Sequence, residues 1–154
     1  MLSCNPVTKS DPETTITSVT VAFSGLGCEA PCPFMATRVD SSLGTQYYGG
    51  PYARVLGSYT GKMAPATWDS IQRRFGKFVT VGLDPLDHDA TDHPIVELVI
   101  HSGSPDKKTV FREDTGKMSD ADLKTLYWFI ELPHALQLVK VDSLEFETTV
   151  QIPE

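Results

Sequence analysis

Thr14-Thr15-Ile16-Thr17-Ser18-Val19-Thr20-Val21-Ala22-Phe23 reads as a β-strand. β-branched residues dominate it, and Thr17, Val19, Val21 and Phe23 share one face at a period of two. It runs into the turn Gly27-Cys28-Glu29-Ala30-Pro31-Cys32-Pro33. A second strand follows over 34–39, with Met35 and Val39 on one side and Ala36 and Arg38 on the other. Asp40-Ser41-Ser42-Leu43-Gly44 is turn chemistry, and 45–48 answers it as a third strand, which makes a hairpin.

Gly49-Gly50-Pro51 breaks the chain before a fourth strand over 54–63, interrupted by Gly57 and Gly61. Pro65 suits the first turn of a helix. Trp68, Ile71, Phe75 and Phe78 recur at spacings of three, four and three and form one apolar stripe. Gly76 is expected to end the regular part of that helix. A polar loop spans 83–94. A strand over 95–101 and another over 107–112 form a second hairpin across Ser102-Gly103-Ser104-Pro105-Asp106. Ser119 caps a second helix, with Asp122 in the capping-box position and Leu123, Leu126, Tyr127 and Ile130 as its buried stripe. Pro133 ends it, and 136–150 closes the chain as one or two strands. Strands in hairpin-sized groups with two amphipathic helices favour an α+β fold. That is a mostly antiparallel sheet with both helices on one face. The expected organisation is a flexible N-terminal tail over 1–13 and a single domain over 14–150.

A chain of 154 residues with 40% hydrophobic and 21% charged residues has the composition of a folded domain. Its net charge of -7 argues against nucleic acid or an anionic membrane surface as the main partner. No run approaches the roughly 18 apolar residues of a transmembrane segment. Met1-Leu2-Ser3-Cys4 admits two readings, a frayed terminus or the stump of a lipoprotein signal.

Cys28 and Cys32 are not at the Cys-x-x-Cys spacing of thioredoxin-like sites, and no helix follows Cys32 to lower a thiol pKa. A structural disulfide closing the turn, two free thiols, and redox or metal chemistry all remain open. The disulfide is favoured, and a loop this short gains about 2 kcal/mol from it. A second cluster is Asp84-Pro85-Leu86-Asp87-His88-Asp89-Ala90-Thr91-Asp92-His93-Pro94. Carboxylates and imidazoles together suit zinc, manganese or iron, so His88, Asp89, Asp92 and His93, with Asp87, are candidate ligands of a divalent metal. The spacing fits neither an EF-hand nor a helical zinc-protease motif, and the competing reading is a solvated loop of Asx turns. No nucleophile elbow or phosphate loop is present. Tyr47, Tyr48, Tyr52 and Tyr59 are either a ligand-facing patch or half-buried sheet residues.

The order of these landmarks resembles a bacterial family known only as a domain of unknown function. The likeness rests on Gly27-Cys28-x-x-x-Cys32-Pro33, Tyr48-Gly49, Val55-Leu56-Gly57-Ser58-Tyr59, the Pro65 helix and Thr91-Asp92-His93-Pro94. Many members of that family look like envelope proteins or lipoproteins. The resemblance marks Cys28, Cys32, Pro33, Thr91, Asp92 and Pro94 and supplies no activity. It leaves His93 at a variable place and His88 and Asp89 outside the motif. The expectation is a non-catalytic envelope or secreted domain that binds a protein or small ligand. The metal-binding loop and a cytoplasmic location are the alternatives. No cofactor other than that metal is expected, and the oligomeric state is left open.

Overall fold

The computed structural model of the protein describes residues 15–25, 32–83 and 93–150. Four strands come first: β1 (Ile16–Ser24), β2 (Met35–Asp40), β3 (Gly44–Gly49) and β4 (Gly57–Lys62). Helix α1 (Pro65–Thr80) follows, then β5 (Ile95–Ser102), β6 (Lys107–Asp114), α2 (Asp120–Glu131) and a short β7 (Val139–Val141). They form one seven-stranded sheet in the order β6-β5-β1-β2-β3-β4-β7. Every neighbouring pair is antiparallel, as the hairpin-sized groups imply.

Alternation places the core. Val19 lies between Val39 and Ile100, Val21 beside Leu98, and Phe23 between Met35 and Val96. These side chains meet Ile71, Phe75 and Phe78 of α1 and Leu126, Phe129 and Ile130 of α2 in one cluster, so both helices cover the same face. Phe75 joins Phe78 and Phe129 edge-on, at centroid distances of 5.5 and 5.1 Å. Asp122, buried on α2, receives Lys77 of α1, and Arg74 lies over Trp128 at 4.1 Å, so the helices are tied by charge as well as by packing.

Four local expectations are corrected. The first strand enters the core through Ile16, not Thr17. A register shift against β5 between Ile16 and Ser18 turns Thr17 outward, and Gln72 of α1 clamps both backbone groups of Ile16, at 3.1 and 2.7 Å. α1 continues through Gly76 to Thr80. Burying Phe78 gains about 2 kcal/mol, more than the ~1 kcal/mol a mid-helix glycine costs. On α2, Phe129 occupies the buried stripe, while Tyr127 is exposed and stacks on Phe23 at 5.3 Å. Ser119 caps the helix as expected, accepting from the Asp122 amide at 3.2 Å.

The fourth correction concerns the C-terminal segment. Only Val139–Val141 adds to the sheet, beside β4. Residues 142–150 leave that edge and pass over the face opposite the helices, where Phe146 and Val150 pack on Ala22 and Ala36. This strap explains why β1 is buried along almost its whole length, on both faces. No helix among the described residues is long and apolar enough to cross a membrane.

Candidate ligand-binding face of the sheet

The sheet face away from the helices is polar. Register sets Arg38 between Thr20 and Gln46, and Gln46 beside Thr60, so side chains from four strands converge on it. Two adjoining depressions share Arg38 and Asp40. One, of about 570 Å³, is also lined by Gln46, Thr60, Lys62 and Val139. The other, of about 530 Å³, is lined by Ser18, His101, Asp106 and Glu147.

Asp40 organises the ridge between them. Its carboxylate accepts from Arg38 at 2.9 Å, from the Ser42 amide at 3.0 Å and from the Ser42 hydroxyl. Burial acts to raise its pKa, but the Ser42 hydrogen bonds and the Arg38 charge together hold it below the ordinary range. Lys62 reaches across from β4 and donates to the Ser42 carbonyl at 3.2 Å. Arg38 and Lys62 therefore face the first depression with one carboxylate between them.

The second depression ends at the strap. His101 is gripped at both ring nitrogens, by Asp106 and by Glu147 of the strap, each at 2.6 Å. The Asp106 hydrogen bond raises the imidazole pKa above its usual value, against a lesser effect of burial, and Glu147 adds to the rise. Glu147 is held low by Lys108 first and by His101 second. Both ring nitrogens are engaged by carboxylates, an arrangement that favours the protonated ring.

Glu97 is the most buried charge on this face, at 2% exposure. It accepts from Thr148 Oγ1 at 2.9 Å, from the Thr149 amide at 2.8 Å and from the Thr149 hydroxyl. Arg112 stands 3.7 Å away and donates to Thr149 Oγ1 at 2.7 Å. Desolvation acts to raise the Glu97 pKa, and the threonine hydrogen bonds and Arg112 outweigh it, so the group titrates below its ordinary value.

The residues singled out from sequence lie elsewhere. Cys4, Cys28, His88, Asp89, Thr91 and Asp92 fall outside the described residues. Cys32 is disulfide-bonded. Pro33 is half-buried, and the Pro94 carbonyl accepts from the Thr115 amide at 2.9 Å, which anchors the start of β5. His93 is exposed, with Nδ1 4.0 Å from Asp114 Oδ1. Among the described residues no group of three or more His, Cys, Asp or Glu is placed to hold a metal ion. The four tyrosines do not form one patch, although the Tyr47 and Tyr59 rings meet at 6.4 Å. Tyr47 and Tyr59 lie on the helix side and donate to the Val55 and Leu56 carbonyls, Tyr48 points to the opposite face, and Tyr52 is exposed.

Sequence inspection passed over Arg38, Asp40, Glu97 and His101. A signal for Glu97 was present: it is the lone carboxylate in the apolar run Ile95-Val96-Glu97-Leu98-Val99-Ile100, a position where a charge needs a partner.

Together the fold and this face define an α+β domain whose polar sheet face is partly closed by its own C-terminal segment. No family model, no curated protein and no solved structure matches the chain.

Proposed function

We propose that the protein is a non-catalytic binding domain of the bacterial cell envelope that takes a small polar ligand on the open sheet face. The observation that carries this reading is the pair of depressions meeting at Arg38 and Asp40. Their volumes fall in the range of small-ligand sites, which is about 300–1,000 Å³. Arg38 and Lys62 outnumber the Asp40 carboxylate in the first depression, on a chain whose net charge is -7. A ligand bearing a carboxylate and hydroxyl groups fits that local balance, the guanidinium taking the carboxylate and Gln46 and Thr60 the hydroxyls.

A titration with hydroxy-carboxylates and sugar acids, followed by amide NMR shifts, tests it. The expected shifts fall on Arg38, Gln46, Thr60 and Lys62. Arg38→Ala combined with Lys62→Ala abolishes them while the fold persists. Shifts confined to another face, or none at saturating ligand, sink the proposal.

The envelope location is supported by the disulfide at Cys32, since such bonds persist in oxidising compartments. In this proposal Cys28 is its partner. The alternative is a metal site at His88, Asp89, Asp92 and His93, whose mixed imidazole and carboxylate donors suit a divalent ion. One melting series addresses both. Reductant lowers Tm by the equivalent of about 2 kcal/mol if the short bridge is the staple. Zinc, manganese, nickel or calcium raises Tm only if the loop binds metal, and no shift with any of them removes that alternative.

A further inference from the structure

We propose that the sheet face around Glu97 is a receptor site for an extended peptide supplied by another chain, and that residues 146–150 occupy it in cis. The segment on the face defines the peptide's chemistry: an aromatic residue, an acidic residue, two hydroxyl residues and an aliphatic one, in the order Phe146-Glu147-Thr148-Thr149-Val150.

Each of these side chains meets its own complement. Phe146 and Val150 rest on Ala22 and Ala36, whose small side chains leave room above the sheet. Glu147 is taken by His101 at 2.6 Å and Lys108 at 2.5 Å. Thr148 and Thr149 deliver two hydroxyls and one amide to Glu97. From the sheet itself Glu97 has the Arg112 guanidinium at 3.7 Å, so its donors come chiefly from the occupant. A carboxylate buried to 2% exposure under a removable segment is a recognition group for hydroxyl and amide donors, because leaving it undercoordinated is costly.

The occupant is also separable. It adds no strand to the sheet beyond Val141, and its apolar contacts form a cluster distinct from the helix-side core. It therefore shares no ladder hydrogen bond and no main-core contact cluster with the sheet, and a second peptide of the same pattern would meet the same donors and the same floor. Asp142 and Ser143, both exposed, join the strap to β7.

The test uses the full chain with a protease site inserted between Asp142 and Ser143, folded first and cut afterwards. A fluorophore-labelled synthetic peptide of residues 143–150 is then added. It is expected to displace the cut fragment and to bind saturably by polarisation, whereas the uncut chain binds it far more weakly because the strap competes in cis. Glu97→Gln in the protein weakens binding by about tenfold or more, as does replacing both threonines by alanine in the peptide alone. The peptide variants leave the protein untouched, so the contact is tested even where Glu97→Gln does not fold. No saturable binding to the cut chain, equal binding of a scrambled peptide, or indifference to both sets of substitutions overturns the proposal.

Discussion

Acid releases the C-terminal strap before it unfolds the sheet. Glu97 and Glu147 both titrate below their ordinary values in the folded protein. A group with a depressed folded pKa contributes stability that is present above its unfolded pKa, near 4.3 for glutamate, and that is lost as pH falls through the folded value. His101 has the opposite sign. Its pKa is raised, so its contribution is complete below about 6.5 and is lost as pH climbs through the higher folded value. The charged groups facing the strap are Glu97 and His101 of β5, Lys108 and Arg112 of β6, and Asp106 of the β5–β6 turn. The window is set by the carboxylates below and the imidazole above. The strap is therefore held most firmly between roughly pH 5 and 6.

The direct readout is hydrogen exchange at the Thr149 amide, which donates to Glu97 at 2.8 Å, corrected for the intrinsic pH dependence of exchange. Protection at Thr149 is expected to collapse as pH falls below the ordinary glutamate value of about 4.3 while amides of β1 and β5 stay protected, and to weaken partly as pH climbs above the ordinary imidazole value of about 6.5. Glu97→Gln removes its share of the acid limb, leaves the part carried by Glu147, and leaves the alkaline limb in place. Simultaneous loss of protection in strap and sheet would mean that the two are one cooperative unit, contrary to this account.

The contrast between strap and sheet also explains what the sequence could and could not disclose. Runs such as Val19-Thr20-Val21-Ala22-Phe23 and the spacing of Ile71, Phe75 and Phe78 carry a period, and a period names both an element and its buried side. The helices, the hairpins and the single helix-bearing face follow from that. The binding face carries no such pattern. Arg38, Gln46 and Thr60 become neighbours only through register, and Glu97 meets Thr149 across 52 positions of chain. The strap fails as a strand prediction for the same reason. Its residues alternate well enough for a β run, but a sheet edge already ends at Val139–Val141, and Glu97 and the alanine floor draw the chain over the face instead. The Cys28–Cys32 and Asp-His clusters stood out because unusual residues lie close in sequence, whereas the open face was assembled from ordinary ones.

Gly49→Ala is expected to lower Tm by roughly 10 °C or more, for a reason that no loss of conformational freedom supplies. A Cβ on Gly49 would stand 1.7 Å from the Val55 carbonyl oxygen and 2.6 Å from the Tyr47 hydroxyl. The first of these is backbone, so the 50–56 loop has to move as a body. That carbonyl is also the acceptor for Tyr47, at 3.0 Å. Tyr47 is fully buried, and desolvation pushes its pKa up to about 12, with Glu131 adding to the rise, so the phenol stays protonated and must donate. Shifting the loop costs about 1–3 kcal/mol in strain, and leaving the phenol unpaired costs about 1–3 kcal/mol more. At about 2–4 °C per kcal/mol for a domain of this size, the two together span about 4–24 °C, with the stated loss near the middle. His134 packs edge-on against Tyr47 at 5.0 Å, so the disturbance reaches the turn behind α2, which flanks β7 and the root of the strap. Gly76→Ala is the matching control: nothing lies within 4 Å of its Cβ position in the middle of α1, and the change should stabilise by about 1 kcal/mol. Calorimetry of the two variants decides the matter. A Gly49→Ala protein melting within a degree or two of the parent would show that the 50–56 loop yields without cost and that Tyr47 has another acceptor within reach.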